Sequence, residues 1–437
     1  MKPAPIEVTQ TEVVWANPGN HTIYAVFGEK QYYKLRLLYN LKNSTFSDQI
    51  QNIAIPPETA WQQVLVEKVE PEARSYFIDR DGNYMASYVV PARKNIKIEY
   101  RGFVTVLSRS QDDFRPFTKE SFVKQQGANT AMRRYWELPE SNKTLSFKGV
   151  RDIYNFLINN LSYDPKRVSK KSSRLGATGA LKEPSHVVCT EYTDLFIALS
   201  RKNRLASREI NGYGYSEGNN LRPQSLIADI LHAWPEYYDS NKSQWVPVDP
   251  TWADTSKINF FDSLDLNHIV FAIHGQDSSM PKAAGMYKEK DEKDVFVSLV
   301  ENIPPVKRDV KIELPIKNNI EVGHLYRTNL VLKNRGNSFI KNKGIDIKAS
   351  SVTFKPSKIP VILLAPGQEM VFPVSYLTSK SKGGGKEAVA VLFDSIAYST
   401  EMIAINSKAE VAVGTLIGVL IGFLGITILV WFNSRKR

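Results

Sequence analysis

The sequence predicts an α+β chain: a mixed helix-and-strand core flanked by two β-sandwich domains, plus one C-terminal transmembrane helix. Three observations predict it. Residues 1–108 and 306–406 carry short apolar runs divided by turn residues, the pattern of sandwiches. From Ser146 the apolar period changes to that of a helix. Finally, Val411 to Phe432 runs for 22 residues without a charge.

In the N-terminal domain, residues 1–108, strand-like runs cover His21 to Phe27, Tyr33 to Tyr39 and Ile96 to Tyr100, and Asp81-Gly82 reads as a hairpin turn. Residues 109–145 are polar and irregular, a linker with a short helix. The core spans 146–285. Val150, Ile153, Tyr154, Leu157 and Leu161 recur at helical spacing and stop before Asp164-Pro165. The basic stretch KRVSKKSSRLG reads as a solvated loop. A second helix starts at or near Cys189, with Tyr192, Leu195, Phe196 and Leu199 on its buried stripe. Arg208–Tyr215, Ala233–Tyr238, Trp245–Val248 and His268–Ile273 then read as strands of a sheet packed on that helix. Pro304-Pro305 marks a linker to an immunoglobulin-like sandwich over 306–406, where Gly383-Gly384-Gly385 reads as a hairpin tip.

The apolar stretch 411–432 is about 33 Å long as a helix, enough to cross a bilayer core. Trp431 and Phe432 stand at its end as an interfacial anchor, before the basic tail 433–437. The positive-inside rule places that tail in the cytoplasm and the preceding residues outside, an extracytoplasmic single-pass arrangement. The start MKPAPIEVTQ has no basic and apolar export signal, so a missing or removed signal is expected in preference to a cytoplasm-facing tail anchor. Gly414, Gly418 and Gly422 recur every four residues, a spacing that lets two helices approach, so a homodimer through them is expected.

Composition narrows the partners. A net charge of +12 suits anionic surfaces such as lipid headgroups or acidic polymers. The basic residues are spread along the chain with no nucleic-acid-binding motif beside them, so nucleic acid is not an expected partner. No second cysteine, HExxH or EF-hand spacing is present, so no metal and no cofactor is expected. N-glycosylation sequons stand at Asn20, Asn43, Asn142, Asn160 and Asn241.

The chemistry centres on Cys189, the one cysteine in 437 residues. With no partner for an intramolecular disulfide, its thiol is there for packing or for reaction. At a helix N-terminus a thiolate is favoured by the helix dipole and by free backbone N–H groups. Two later segments supply what a thiol nucleophile needs: LHAWPEYYD around His232 and WVPVDPTW around Asp249. A histidine can take the thiol proton, and a carboxylate can hold the ring in the right tautomer. His268 and His274 fall in a later strand, where a structural role is expected, and His186 reads as loop structure.

Val188-Cys189-Thr190-Glu191-Tyr192, Asn211-Gly212-Tyr213, His232-Ala233-Trp234-Pro235-Glu236-Tyr237 and Trp245-Val246-Pro247-Val248-Asp249-Pro250-Thr251 stand in the order seen in the transglutaminase-like superfamily, and the core resembles that family. The helix from Ile153 and its Tyr163-Asp164-Pro165 exit fit the family's lead-in. The resemblance implies a papain-like fold, with Cys189 as nucleophile, His232 as general base and then acid, and Asp249 as orienting group. It implies a thioester formed from a protein or peptide amide and resolved by an amine or by water. The Cys189 N–H is expected in the oxyanion hole; no second donor is assignable. A cysteine protease of the same fold and a non-enzymatic surface-binding module with a degenerate core are the alternatives.

Overall fold

The structure is a computed structural model, and it describes residues 6–8, 13–15, 28–111, 131–139, 145–169, 173–215, 231–261, 264–288, 293–378 and 385–406. Two compact units divide between Val306 and Lys307. The expected run at 21–27, the transmembrane helix 411–432 with its glycines, and the tail 433–437 lie outside the described residues. Among the described residues no helix is long and apolar enough to cross a membrane.

The first unit opens with a short ribbon, β1 (Ile6–Val8) and β2 (Val13–Trp15). Next come β3 (Lys30–Lys42), β4 (Gln49–Ile55), β5 (Gln62–Glu70), β6 (Ser75–Ile78), β7 (Tyr84–Val90) and β8 (Asn95–Leu107). Alternation decides which face is core: Tyr33, Leu35, Leu37 and Tyr39 on β3 are fully buried while Lys34 and Arg36 point out. Asp81-Gly82 lies in the tight connection between the paired β6 and β7, so the hairpin forms where the sequence places it. Asn43 is buried and donates its amide to the Ser47 and Val90 carbonyls at 2.8 Å each, so this sequon offers no accessible acceptor.

The core follows with α1 (Val150–Asn160), α2 (Pro165–Ser169), α3 (Gly176–Lys182) and α4 (Cys189–Lys202). Then come β9 (Ser207–Gly214), β10 (His232–Asp239), β11 (Gln244–Pro247), α5 (Pro250–Ser256) and β12 (His268–His274). The four strands make an antiparallel sheet in the order β11-β10-β9-β12. The expected stripe of α4 is fully buried, joined by residues of α1, α3 and α5 in one apolar cluster. Trp136, in the stretch read as linker, is buried in the same cluster.

The basic stretch read as a solvated loop is partly built into the core. Arg174 ion-pairs with both Asp194 of α4 and Glu209 of β9, each carboxylate fully buried, and donates from Nη1 to the Ser278 carbonyl at 2.8 Å. A charge run reads as surface by composition; two buried carboxylates far along the chain turn this arginine inward.

A last strand of this unit, β13 (Val295–Val300), returns to pair with β3, giving the sheets β13-β3-β8-β5 and β4-β7-β6. This sandwich covers the exposed edge of the core sheet with side chains. Gln62 exchanges both hydrogen bonds with the Val270 backbone, at 2.8 and 3.0 Å, and Asn83 does the same with Ile273 at 2.7 and 2.8 Å. Two carboxamides thus stand in for the missing neighbour strand of β12. A bulge between Val270 and Ala272 shifts the register that brings these two amides to that edge.

The second unit contains β14 (Val310–Glu313), β15 (Asn319–Glu321), β16 (Tyr326–Asn334), β17 (Ile340–Lys348), β18 (Val352–Lys355), β19 (Lys358–Leu364), β20 (Glu369–Thr378), β21 (Gly385–Phe393) and β22 (Ile396–Asn406). They form sheets β14-β16-β20-β18 and β15-β22-β21-β17-β19 around one apolar cluster. Gly383 and Gly384 of the expected hairpin tip lie outside the described residues; the described strands on either side, β20 and β21, belong to different sheets. Alternating strands fix which face is buried, but they do not say which strands pair.

Gln62→Ala would leave a buried N–H and carbonyl of Val270 without partners, a cost of about 1–3 kcal/mol per group. We expect a lower urea midpoint and faster hydrogen exchange at the Val270 amide. An unchanged midpoint together with unchanged exchange would remove the amide pair from the account of this edge.

Candidate active site

Helix α4 starts at Cys189 because Val188 is extended (φ −125°, ψ −176°) and Glu191 turns back on it. Oε2 of the buried Glu191 accepts the Val188 N–H at 3.0 Å and lies 3.2 Å from Arg167 Nη1. Its Oε1 accepts the Leu175 N–H at 2.8 Å. One carboxylate therefore ties the first turn to two upstream segments. The thiol of Cys189 is half-buried and free. The N–H groups of Cys189 and Thr190 precede the first intrahelical bond, which Glu191 makes to the Val188 carbonyl.

His232 opens β10, opposite Gly212 of β9. Two indoles stack on its ring: Trp252 at 4.7 Å and 14°, Trp234 at 5.7 Å and 27°. The neighbouring strand makes room with glycines. A Cβ on Gly214 would come within 2.5 Å of the Trp252 ring, and one on Gly212 within 2.0 Å of the Ile269 carbonyl. Neither tryptophan stands out as a site residue in the sequence. The signal was there for Trp234, since residues two apart on a strand share a face.

Asp249 is the N-cap of α5. Its Oδ1 accepts the N–H groups of Thr251 at 2.9 Å and Trp252 at 3.0 Å, and Pro250 takes the first helical position, which needs no donor. Its Oδ2 lies 2.8 Å from His232 Nε2. One oxygen of Asp249 thus caps the helix and the other meets the imidazole.

With Nε2 committed to Asp249, Nδ1 is the nitrogen left for Cys189. It is buried and has no partner at hydrogen-bond distance. Desolvation works against a charged ring here. The Asp249 charge and hydrogen bond, and then the Cys189 thiol, outweigh it and push His232 up to about 9. Asp249 is fully buried too, yet the His232 charge and the hydrogen bonds from His232 and His268 hold it far below the usual carboxylate range. The structure thus sets His232 against Asp249 at hydrogen-bond distance and puts the Cys189 thiol among the groups that act on the ring.

The other histidines divide. His268 also reaches Asp249, at 3.2 Å from Oδ2, although it reads from sequence as a strand residue. His274 instead bonds the Pro281 carbonyl at 2.7 Å, and His186 is exposed beside Asp164. His232 Nε2, Asp249 Oδ2 and His268 Nε2 lie within 4.8 Å of one another, a spacing the hydrogen bonds among them account for.

A family model described as the transglutaminase-like superfamily matches residues 137–250, a segment that contains Cys189, His232 and Asp249. That segment is a transglutaminase-like domain. It ends at Pro250, so most of α5 and all of β12 lie beyond the matched residues. No curated protein matches the chain. Among solved structures, a candidate cysteine protease from Cytophaga hutchinsonii is similar at 14% identity, covering 62% of this chain and 99% of that one, with a TM-score of 0.37. Red sea bream transglutaminase is similar at 9% identity over 85% of this chain and 95% of that one, with a TM-score of 0.18. A CARDB domain from Pyrococcus furiosus covers 23% of this chain and 94% of that one at 14% identity, with a TM-score of 0.17.

Because His232 binds its proton more tightly folded than unfolded, the transglutaminase-like domain has a pH-dependent term in its stability. That term is present in full below about 6.5, the unfolded value, and is lost as pH rises through about 9. Seen from Asp249, the same interaction disappears as pH falls below the unfolded carboxyl value of about 4. Asp249→Asn keeps the helix cap and removes the charge. We expect the urea midpoint of the unaltered chain to fall between pH 6.5 and 9.5, and the variant to lose most of that slope. Equal slopes would contradict the assignment.

Proposed function

We propose that the chain is a membrane-anchored cysteine enzyme that forms a thioester from a protein or peptide amide. The observation that carries the reading is the placement of one imidazole: Asp249 takes its Nε2 at 2.8 Å and leaves Nδ1 for the thiol at the start of α4.

In this reading Cys189 gives its proton to His232 Nδ1, and the sulfur attacks the amide carbonyl. The oxygen of the tetrahedral adduct takes the negative charge, and the helix-start N–H of Cys189 is placed to donate to it. His232 then passes its proton to the leaving nitrogen, the C–N bond breaks, and the thioester remains. An amine (transamidation) or water (hydrolysis) attacks next and gives a proton to His232, and the C–S bond breaks to return the thiol. Asp249 keeps the ring in the tautomer that accepts at Nδ1 throughout. The stacked indoles of Trp252 and Trp234 suit the charged ring that forms along the way.

The anchor is the apolar run 411–432, with the basic tail in the cytoplasm and the catalytic domain outside. Gly414, Gly418 and Gly422 offer a close-packing face for a homodimer. The substrate is then a protein or peptide near the outer surface.

Brief iodoacetamide treatment followed by intact mass measurement tests the nucleophile. We expect rapid single alkylation at Cys189 below pH 7, and roughly 10²-fold slower reaction in His232→Ala, the gap between a thiolate and an unassisted thiol at that pH. Cys189→Ala should lose all labelling by an electrophilic amide mimic. Alkylation only above about pH 8, as for any free thiol, would move the reading to a binding module.

Tags on each end test the topology by protease treatment of intact cells. The N-terminal tag should be digested and the C-terminal tag protected. A protected N-terminal tag would sink the outward-facing arrangement.

A further inference from the structure

We propose that Asp265 and His268 extend the site into a hydrogen-bonded chain, Asp265–His268–Asp249–His232, in which His268 is a charged positioning residue. The inference rests on reading Asp249 as the partner of a catalytic His232.

The donors and acceptors leave little choice. Oδ2 of Asp249 lies 2.8 Å from His232 Nε2 and 3.2 Å from His268 Nε2. A carboxylate oxygen only accepts, so each of these nitrogens carries a hydrogen. For neutral His232 this places the lone pair on Nδ1, the nitrogen left for Cys189. His268 has a second carboxylate on its other side, with Nδ1 2.9 Å from Asp265 Oδ1. An imidazole that donates from both nitrogens is an imidazolium.

The surroundings fit a held cation. His268 is buried, with the Trp252 ring at 4.4 Å, the Trp234 ring edge-on at 5.0 Å and the Phe260 ring at 6.1 Å. Asp265 is itself fixed: its Oδ1 accepts the Asn267 N–H at 3.0 Å, and Asn267 is in turn held by the Tyr33 hydroxyl at 2.9 Å. Other ionisable groups nearby are spoken for. Glu236 lines the same narrow cleft as Asp265 and His268, but it is ion-paired to Arg208 at 2.6 Å. The Tyr192 hydroxyl donates to Asp254 at 2.6 Å, and the Tyr154 hydroxyl accepts the Phe260 N–H at 3.0 Å. Burial pushes both phenols up, so they stay neutral. Cys189 acts on His232 and not on His268. His268 is itself pushed upward: desolvation opposes the charge, and the hydrogen bonds to Asp249 and Asp265 outweigh it.

Two effects on His232 follow. The Asp249 carboxylate is locked in the rotamer that serves His232, since all four of its close hydrogen bonds are filled. The positive ring, with its centroid 5.6 Å from that of His232, also opposes a second positive charge there. His232 thus releases its proton more readily than Asp249 alone would allow, which suits a group that must both take and give a proton.

The chain has only six histidines, so ring ¹⁵N shifts of the full-length protein, labelled at histidine, can be followed against pH one ring at a time. We expect His268 to be protonated at both nitrogens from pH 6 to 8. In Asp265→Asn it should become neutral, and the His232 midpoint should rise by about one unit, a tenfold gain in proton affinity. His268→Gln, which keeps a donor to Asp249 without the charge, should give the same rise. A neutral His268 in the unaltered chain overturns the proposal. So does an unmoved His232 midpoint in both variants with only a lower melting temperature, the mark of a brace. The shifts need no substrate, so the two readings fail separately: unselective alkylation of Cys189 counts against the enzyme, and the ring shifts count against this chain of contacts.

Discussion

Four hydrogen bonds on one carboxylate set the geometry of this site. Asp249 is fully buried, a position that costs a charged group several kcal/mol unless every lone pair is used. Here they are used in two directions. Oδ1 accepts the first free N–H groups of α5, and Oδ2 accepts from two imidazoles. The same residue therefore starts a helix and aims a ring. The helix contributes more than a cap: its third residue, Trp252, stacks on the ring that Asp249 aims. Moving the carboxylate would shift the stacked indole and the histidine together.

That arrangement explains why some of the site could be read from sequence and some could not. Cys189, His232 and Asp249 are marked by local chemistry: a lone thiol at the head of an amphipathic pattern, a histidine before Trp-Pro, an aspartate before Pro-Thr. The stripe on α4 and the four core strands follow from periods of 3.6 and 2, and the structure has them. What period and local chemistry cannot carry is pairing. His268 looks like any other strand residue until β12 lies beside β9 and brings it to Asp249. Arg174 sits in a run of basic residues, and only the carboxylates of Asp194 and Glu209, 20 and 35 positions later, make it a buried one.

The N-terminal sandwich also has a part that sequence alone hides. An edge strand carrying a site residue needs its outer backbone groups satisfied, and an added strand would do that at the risk of slipping register. Gln62 and Asn83 do it with side chains, one at Val270 and one at Ile273. A carboxamide matches one peptide unit, so each pins a single position and tolerates the bulge between them. Tyr33 adds a third hold, through the Leu266 carbonyl and Asn267. The sandwich is thereby part of the frame for His268 and Asp265.

The polar contacts around His232 and those around α4 both trace back to β12. At its start, His268 fixes Asp249, which fixes His232. At its end, His274 is held through the Pro281 carbonyl, while Asn211 bridges it to Glu209 at 3.1 and 2.8 Å. Glu209 in turn holds Arg174, and Arg174 holds Asp194, five residues into the helix that Cys189 begins. Cys189 and His232 are thus tied by two separate polar chains that end on one strand, about 20 Å long at 3.3 Å per residue. Hydrogen bonds of fixed length transmit position more stiffly than apolar contacts, which allow rotamer exchange. The proton transfer proposed between the Cys189 thiol and the His232 ring would gain from that stiffness.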